Sequence, residues 1–281
     1  EKQKETNHYQ IQSLPINSGV FCLKKDRFQD VVWIGTDGQG VYLYSNPLYS
    51  IKSMVLSNYT EKIERPVRAI YLDDERTFWV GTKGNGILKI YDYEFDKNIS
   101  DCRAEVLTTS NSALSSNAVY CFAKSHRNLL WIGDEEGLTY YSYREKRIKS
   151  IPIRIGNEDF KYIHDIYETA DSELWLASVG MGVVKARIAG TPDNPVIVDA
   201  QRYIINDGEL GSNYFFTIYA ENEANLLFGN KGYGVFRYNE TTNGLEPVST
   251  HKYENMTLNN ILAISKDSSN NYLFGTSYGL I

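Results

Sequence analysis

The stretch VVWIGTDGQGVYLY runs from Val31 to Tyr44, and FWVGTKGNGILKIY repeats its pattern from Phe78 to Tyr91. Each reads as a tryptophan, a glycine two places on, a glycine-rich corner and a second β-rich run. The motif returns as WIGDEEG at Trp131 and WLASVGMG at Trp175, then more weakly as LFGNKGYG at Leu227 and LFGTSYG at Leu273. Its third position holds Gly35, Gly81, Gly133, Ala177, Gly229 and Gly275, at steps of 46, 52, 44, 52 and 46 residues. All four tryptophans of the chain, Trp33, Trp79, Trp131 and Trp175, share one slot. Self-similarity at this spacing marks a repeat architecture.

Upstream of each copy lies a short strand-like run: GVFCLKK, PVRAIYL, AVYCFAK, YIHDIYE, YFFTIYA or ILAISKD. These runs end near polar turn formers such as Lys25-Asp26, Asp73-Asp74 and Asp267-Ser268. The glycine corner permits the positive φ that tight hairpins need. A third strand and a more variable fourth segment, such as YSIKSMVL or RIKSIPI, close most units. Four strands in about 45–50 residues is the size of a propeller blade.

The chain is therefore expected to be all-β, a β-propeller of four-stranded antiparallel blades forming one domain over residues 1–281. The six repeats fall at about 17–57, 65–108, 117–153, 161–205, 213–250 and 258–281, with residues 8–15 as a closing or preceding outer strand. One blade alone exposes apolar residues on both faces. Stacking removes that area from water at roughly 25 cal/mol per Å². The tryptophans are expected to fill the gaps between neighbouring sheets. The first-strand slot Cys22, Ala69, Cys121, Asp165, Thr217 and Ala263 stays small, as crowding about an axis requires. Cys22 and Cys121 thus read as packing residues, two blades apart and not disulfide partners.

Composition narrows the function classes. With 22 Tyr and 11 Phe the chain suits pleated, half-buried surfaces. Against 35 acidic residues the 29 basic ones form no long run, so nucleic acid is not an expected partner. Three cysteines without a CxxC pair exclude a disulfide framework and a zinc site of that type. No apolar run reaches the roughly 20 residues of a membrane-spanning helix. The polar start EKQKETNHYQ does not read as a signal peptide, which leaves a cytosolic protein or a mature or excised fragment.

The short strand, polar turn, WIGT-x-G-x-G corner and aromatic strand resemble the two-component regulator propeller repeat. The likeness covers nearly the whole chain and is strongest in Val31–Tyr44, Phe78–Tyr91 and Leu130–Tyr143. That family builds the periplasmic sensor regions of hybrid two-component sensor kinases, best known from gut Bacteroidetes. It implies two seven-bladed propellers, then a β-sandwich, a membrane helix and cytoplasmic kinase, receiver and DNA-binding modules. This chain would be most of one seven-bladed propeller, lying in the periplasm and responding to an oligosaccharide. Its implied partners are the ligand, the parent's other domains and a second copy. Membrane contact would come only through parts of the parent absent here.

No GxSxG elbow, HExxH, P-loop or Rossmann fingerprint appears. GTDGQG and GTKGNG open strands and not helices, so they are turns and not phosphate cradles. Asp37, Asp134, Glu135 and Glu136 do not reproduce an EF-hand, and neither metal nor cofactor is expected. Asn58, Asn98, Asn239 and Asn255 begin Asn-x-Ser/Thr sequons, without weight in a bacterial protein. His8, His126 and His251 read as surface residues. His164 and Asp165 fall in a first strand near the axis, though adjacent strand residues point to opposite faces and cannot simply pair. Their bland reading is a polar plug.

One propeller face is expected to collect the glycine corners and strand starts: Asp37, Lys83, Glu135, Lys231 and Tyr233, with Arg65, Arg68, Tyr120, Tyr162, His164, Asn213 and Tyr214. Aromatic rings cover the C–H faces of sugars, and planar polar groups take hydroxyls. Arg65, Arg68, Lys83, Tyr120, Tyr162, His164, Tyr214 and Lys231 are the candidate ligand-binding residues, with the four cations placed for an anionic glycan. The bland alternative is packing between blades. Two other functions stay open. One is a polysaccharide lyase or glycoside hydrolase using His164, Asp165 and Tyr120. The other is a scaffold binding protein on its rim.

Overall fold

The computed structural model describes residues 16–27, 31–45, 63–93, 102–205, 213–248, 260–267 and 269–281. Among these every regular element is a strand. Six antiparallel meander sheets follow one another along the chain, four of them four-stranded and the first and last three-stranded. The first strands are Val20–Lys25, Val67–Leu72, Val119–Lys124, Ile163–Glu168, Phe215–Asn222 and Ile261–Lys266. The motif supplies the second strands, Val31–Thr36, Phe78–Thr82, Leu129–Asp134, Glu173–Ser178, Asn225–Asn230 and Tyr272–Thr276. A small extra hairpin pairs Arg154–Ile155 with Glu158–Asp159. The expected strand at 8–15 and the segment YSIKSMVL lie outside the described residues, as do His8, His251, Asn58, Asn98 and Asn255.

Each first strand touches the first strands of both neighbouring sheets, and the sixth touches the first. Ile16, Val20, Leu23, Val32 and Ile34 of the first blade share one apolar cluster with Ala263, Leu273 and Leu280 of the sixth. The described residues thus form a ring closed at six blades, where the family resemblance implies seven. The repeat count is the blade count.

Registers explain the glycine of the motif. Cys22 faces Gly35, Ala69 faces Gly81, Cys121 faces Gly133, Thr217 faces Gly229 and Ala263 faces Gly275. Only Asp165 faces an alanine, Ala177. A Cβ on Gly133 would sit 2.5 Å from Cys121 Sγ and 2.6 Å from the Ile163 carbonyl of the next blade. These glycines are therefore needed for close approach between sheets. Positive φ belongs instead to the corners, as at Gly40 (79°) and Gly86 (75°).

The tryptophans fill the seams as expected. Trp33 lies 5.0 Å from Phe78 and 5.8 Å from Tyr93 of the second blade. Trp79 packs on Phe122 and Tyr141 of the third, and Trp175 on Phe228 and Tyr238 of the fifth. Trp79 and Trp131 are fully buried. Burying such rings stabilises each seam by a few kcal/mol.

Candidate functional site

Every first strand carries the same irregularity. Its register with the second strand slips between Val20 and Cys22, Val67 and Ala69, Val119 and Cys121, Ile163 and Asp165, Phe215 and Thr217, and Ile261 and Ala263. Each slip leaves one bulged residue: Phe21, Arg68, Tyr120, His164, Phe216 or Leu262. A bulge re-aims the extra side chain away from the ladder. Because the six first strands surround the axis, six such residues form a ring there.

Three neighbouring pairs in that ring touch. The Arg68 guanidinium carbon lies 3.3 Å from the centroid of the Phe21 ring. Tyr120 stacks on His164 at 4.2 Å and 16°, and Phe216 meets His164 edge-on at 5.2 Å. Burial, helped by the charges of Arg68 and Lys83, pushes the His164 imidazole down to about 3. It is a neutral ring at any ordinary pH. Burial also pushes the Tyr120 phenol up to about 12 and draws Arg68 below its ordinary value against the opposing pull of Asp37, Tyr120 and Cys22. The Cys22 thiol, enclosed beside Gly35, is pushed up to about 11, and neither Cys22 nor Cys121 is in a disulfide.

Antiparallel pairing brings the start of each first strand and the end of each second strand to one face. There the corners are stitched to the entry of the next blade: Gly84 N and Gly86 N donate to Asn117 O, and Gly180 N and Gly182 N to Asn213 O. Among the described residues Tyr162 is the only aromatic of eight non-glycine residues with positive φ (55°). Its N–H donates to Glu135 O and its carbonyl accepts from Val179 N, both at 3.1 Å, so two corners hold it in that backbone. A bulky residue there costs on the order of 1–3 kcal/mol, strain that collects at functional sites.

The eight predicted residues separate into an axial and a peripheral group. Arg68, Tyr120 and His164 meet in the ring, with Lys83 near enough for its charge to be felt there. Lys231 lies 5.7 Å from the Tyr214 ring as a pair of its own at the fifth blade. Arg65 is exposed beside the Gly84 corner, its N–H donating to Asn85 Oδ1 at 2.9 Å. Seven large hydrophobic side chains are exposed among the described residues. Four are the tyrosines Tyr162, Tyr214, Tyr233 and Tyr278 of this face, Tyr278 at 85%.

Sequence reasoning missed Phe21, Phe216 and Leu262. Stepping one place back from the small-residue slot in each copy would have found them. Asp165 does not join the ring. Its Oδ2 accepts from Thr217 Oγ1 at 3.0 Å and Ile218 N at 2.7 Å of the next blade. It is a seam residue. His126 is exposed in its turn, as expected. No group of three or more metal-ligating side chains occurs among the described residues.

Closed ring, meander blades and axial bulges define the chain as a β-propeller. It is similar to the extracellular domain reported for hybrid two component system BT3049 of B. thetaiotaomicron: TM-score 0.63, 19% identity, 99% of this chain and 35% of that one. That of BT4673 from the same organism gives TM-score 0.61 and 18% identity over 97% of this chain and 39% of that one. A translation initiation factor 6 of Saccharolobus solfataricus is 31% identical over 140 residues, covering 45% of this chain and 57% of that protein. The chain thus spans little more than half of that curated relative, and under two fifths of the structural ones. No family model matches it.

Proposed function

We propose that this chain is the extracytoplasmic sensor propeller of a hybrid two-component signalling protein, lying in the periplasm. It recognises an oligosaccharide on the tyrosine-bearing face and passes the signal to a downstream kinase. The observation that carries this reading is the gathering of exposed Tyr162, Tyr214, Tyr233 and Tyr278 around an axial ring of aromatic and polar side chains. Flat rings of this kind cover the apolar faces of sugars. The repeat motif and the likeness to extracellular domains of two-component systems support the same role. Signalling follows if the ligand prefers one of two arrangements of propeller and partner domain.

Binding without turnover is favoured over a lyase or hydrolase. His164 is held neutral, and both Asp165 oxygens are engaged in backbone or seam hydrogen bonds. An acid/base pair needs groups that titrate near working pH. Calorimetric titration of the parent's full sensor region with panels of oligosaccharides tests the reading. Heat from one sugar class supports it, and silence across all of them overturns it.

A second reading, protein binding on the rim, is favoured by Val196 and Val198, 48% and 50% exposed on the outer strand of the fourth blade. The occupant would be another domain of the parent or a second copy of the chain. Val198→Lys should then lower self-association in sedimentation runs, or docking of the parent's neighbouring domain. An unchanged profile in both counts against the rim.

A further inference from the structure

We propose that Arg68 binds a carboxylate at the axis, so that the ligand of this propeller is an acidic saccharide carrying a uronic acid. The proposal rests on the recognition reading for the sugar, while the carboxylate contact stands on the geometry of Arg68 alone.

Three observations carry it. The bulge at Arg68 takes the side chain out of its own sheet and sets it in the axial ring. There Phe21 covers one face of the guanidinium at 3.3 Å, which holds the planar fork in one orientation. Finally, Arg68 Nε is buried without a hydrogen-bond partner, and no carboxylate of the described residues lies within ion-pair distance of the group. Other cations withdrawn in part from water are answered differently. Lys89 has Glu105 at 3.6 Å, and Arg127, whose Nε also lacks a hydrogen-bond partner, has Glu168 at 3.7 Å. A desolvated charge without a counter-ion is costly. An incoming anion removes that cost.

The surroundings favour an anion of this kind. Lys83 lies close enough to act on His164, and the charge of Lys24 reaches both Cys22 and Cys121 across the ring. Asp37 and Glu135 oppose them, acting on Arg68 and Tyr120 from outside ion-pair distance. Neutral His164 stacked on Tyr120 offers an uncharged planar wall beside the guanidinium. A carboxylate matches a guanidinium fork with two parallel hydrogen bonds. The pyranose ring attached to it would then lie against the aromatic residues of the ring.

The test is calorimetry on the 281-residue chain with a galacturonate trisaccharide, the matching galactose trisaccharide and benzoate. Tighter binding of the galacturonate than of the neutral sugar, weakened about 10–100-fold in Arg68→Gln, is the expected result. Arg68→Lys keeps the charge and loses the fork. It should retain part of the affinity, and thermal melts of both variants separate lost binding from lost folding. Equal binding of both sugars by the parent chain and by folded Arg68→Gln overturns the carboxylate site and leaves sugar recognition standing. Binding of benzoate alone, dependent on Arg68, supports the site and sinks the saccharide reading. A chain that takes none of the three overturns the proposal.

Discussion

Trp131 Nε1 donates to Glu168 Oε2 at 2.6 Å across the seam between the third and fourth blades, and both side chains are buried. Trp33 and Trp79 meet the same need within their own hairpins, donating to Asp26 and Asp73 at 2.9 Å. In the third hairpin Ser125 takes the aspartate's place and accepts from Arg127 N. The acid therefore comes from the next blade. An indole that must find an acceptor when buried has turned a local turn contact into a clamp between blades.

Glu168→Ala is expected to destabilise the chain by about 3–5 kcal/mol, because it strands the partly buried Arg127 guanidinium and the Trp131 N–H. Glu168→Gln keeps an acceptor for the indole and should cost less. Urea unfolding of both variants, with Trp131→Phe closing a double-mutant cycle, measures the coupling. Purely additive losses would mean the clamp does not exist.

The motif glycines should not tolerate even a methyl group. Gly133→Ala and Gly229→Ala place a Cβ at 2.5–2.6 Å from the facing side chain and at 2.6–2.8 Å from the next blade's backbone carbonyl. Overpacking of this kind costs about 1–3 kcal/mol or more. At Gly275 the nearest approach is 3.1 Å, so Gly275→Ala should be the mildest of the three. Thermal melts ranking Gly275→Ala below the others would contradict the close-approach account.

Asp134 ends the third blade's second strand, fully buried, in a slot where the other copies hold Thr36, Thr82, Ser178, Asn230 and Thr276. Burial pushes its carboxyl up to about 6, against hydrogen bonds from Ser115 Oγ, Glu136 N and Gly137 N. A folded pKa raised above the unfolded value favours the protonated form. That contribution is fully present below about pH 4 and is lost as pH rises through 6. Asp134→Asn offers an acceptor to the two N–H groups and a donor to Ser115. It should stabilise the chain at pH 8 by about 1–3 kcal/mol and flatten the stability profile between pH 4 and 6. A variant less stable than the parent at pH 8 would count against it.

Tyr162 couples strain to the face proposed for recognition. Tyr162→Asn, a residue that accepts the left-handed region, is expected to gain up to about 1 kcal/mol of stability while weakening ligand binding. The paired readout is melting temperature and calorimetric affinity on the same preparation. Loss of stability together with unchanged affinity would show the ring to be packing only.

The architecture was legible because a blade is a local object. The tryptophan slot, the small slot opposite it and the glycine corners repeat in sequence, and each fixes a contact within one sheet or with the adjacent one. Local reading also placed His164 near the axis, and Arg68 and Tyr120 at strand starts on one face. It failed where the answer lay in another blade: Asp165, a suspect beside His164, is taken up by Thr217 and Ile218.

From its sequence alone this protein determined that six similar β-units would stack through tryptophan-filled seams, since periodicity and apolar pattern are properties of the chain in order. Tertiary structure decided that the ring closes at six, that six bulges turn one residue each toward a common centre, and that Arg68 stands there on Phe21 without a counter-ion among the described residues. Closure depends on Val20–Lys25 meeting Ile261–Lys266 from the far end of the chain, and the axial contacts on first strands of different blades meeting through space, and no local pattern records such distances.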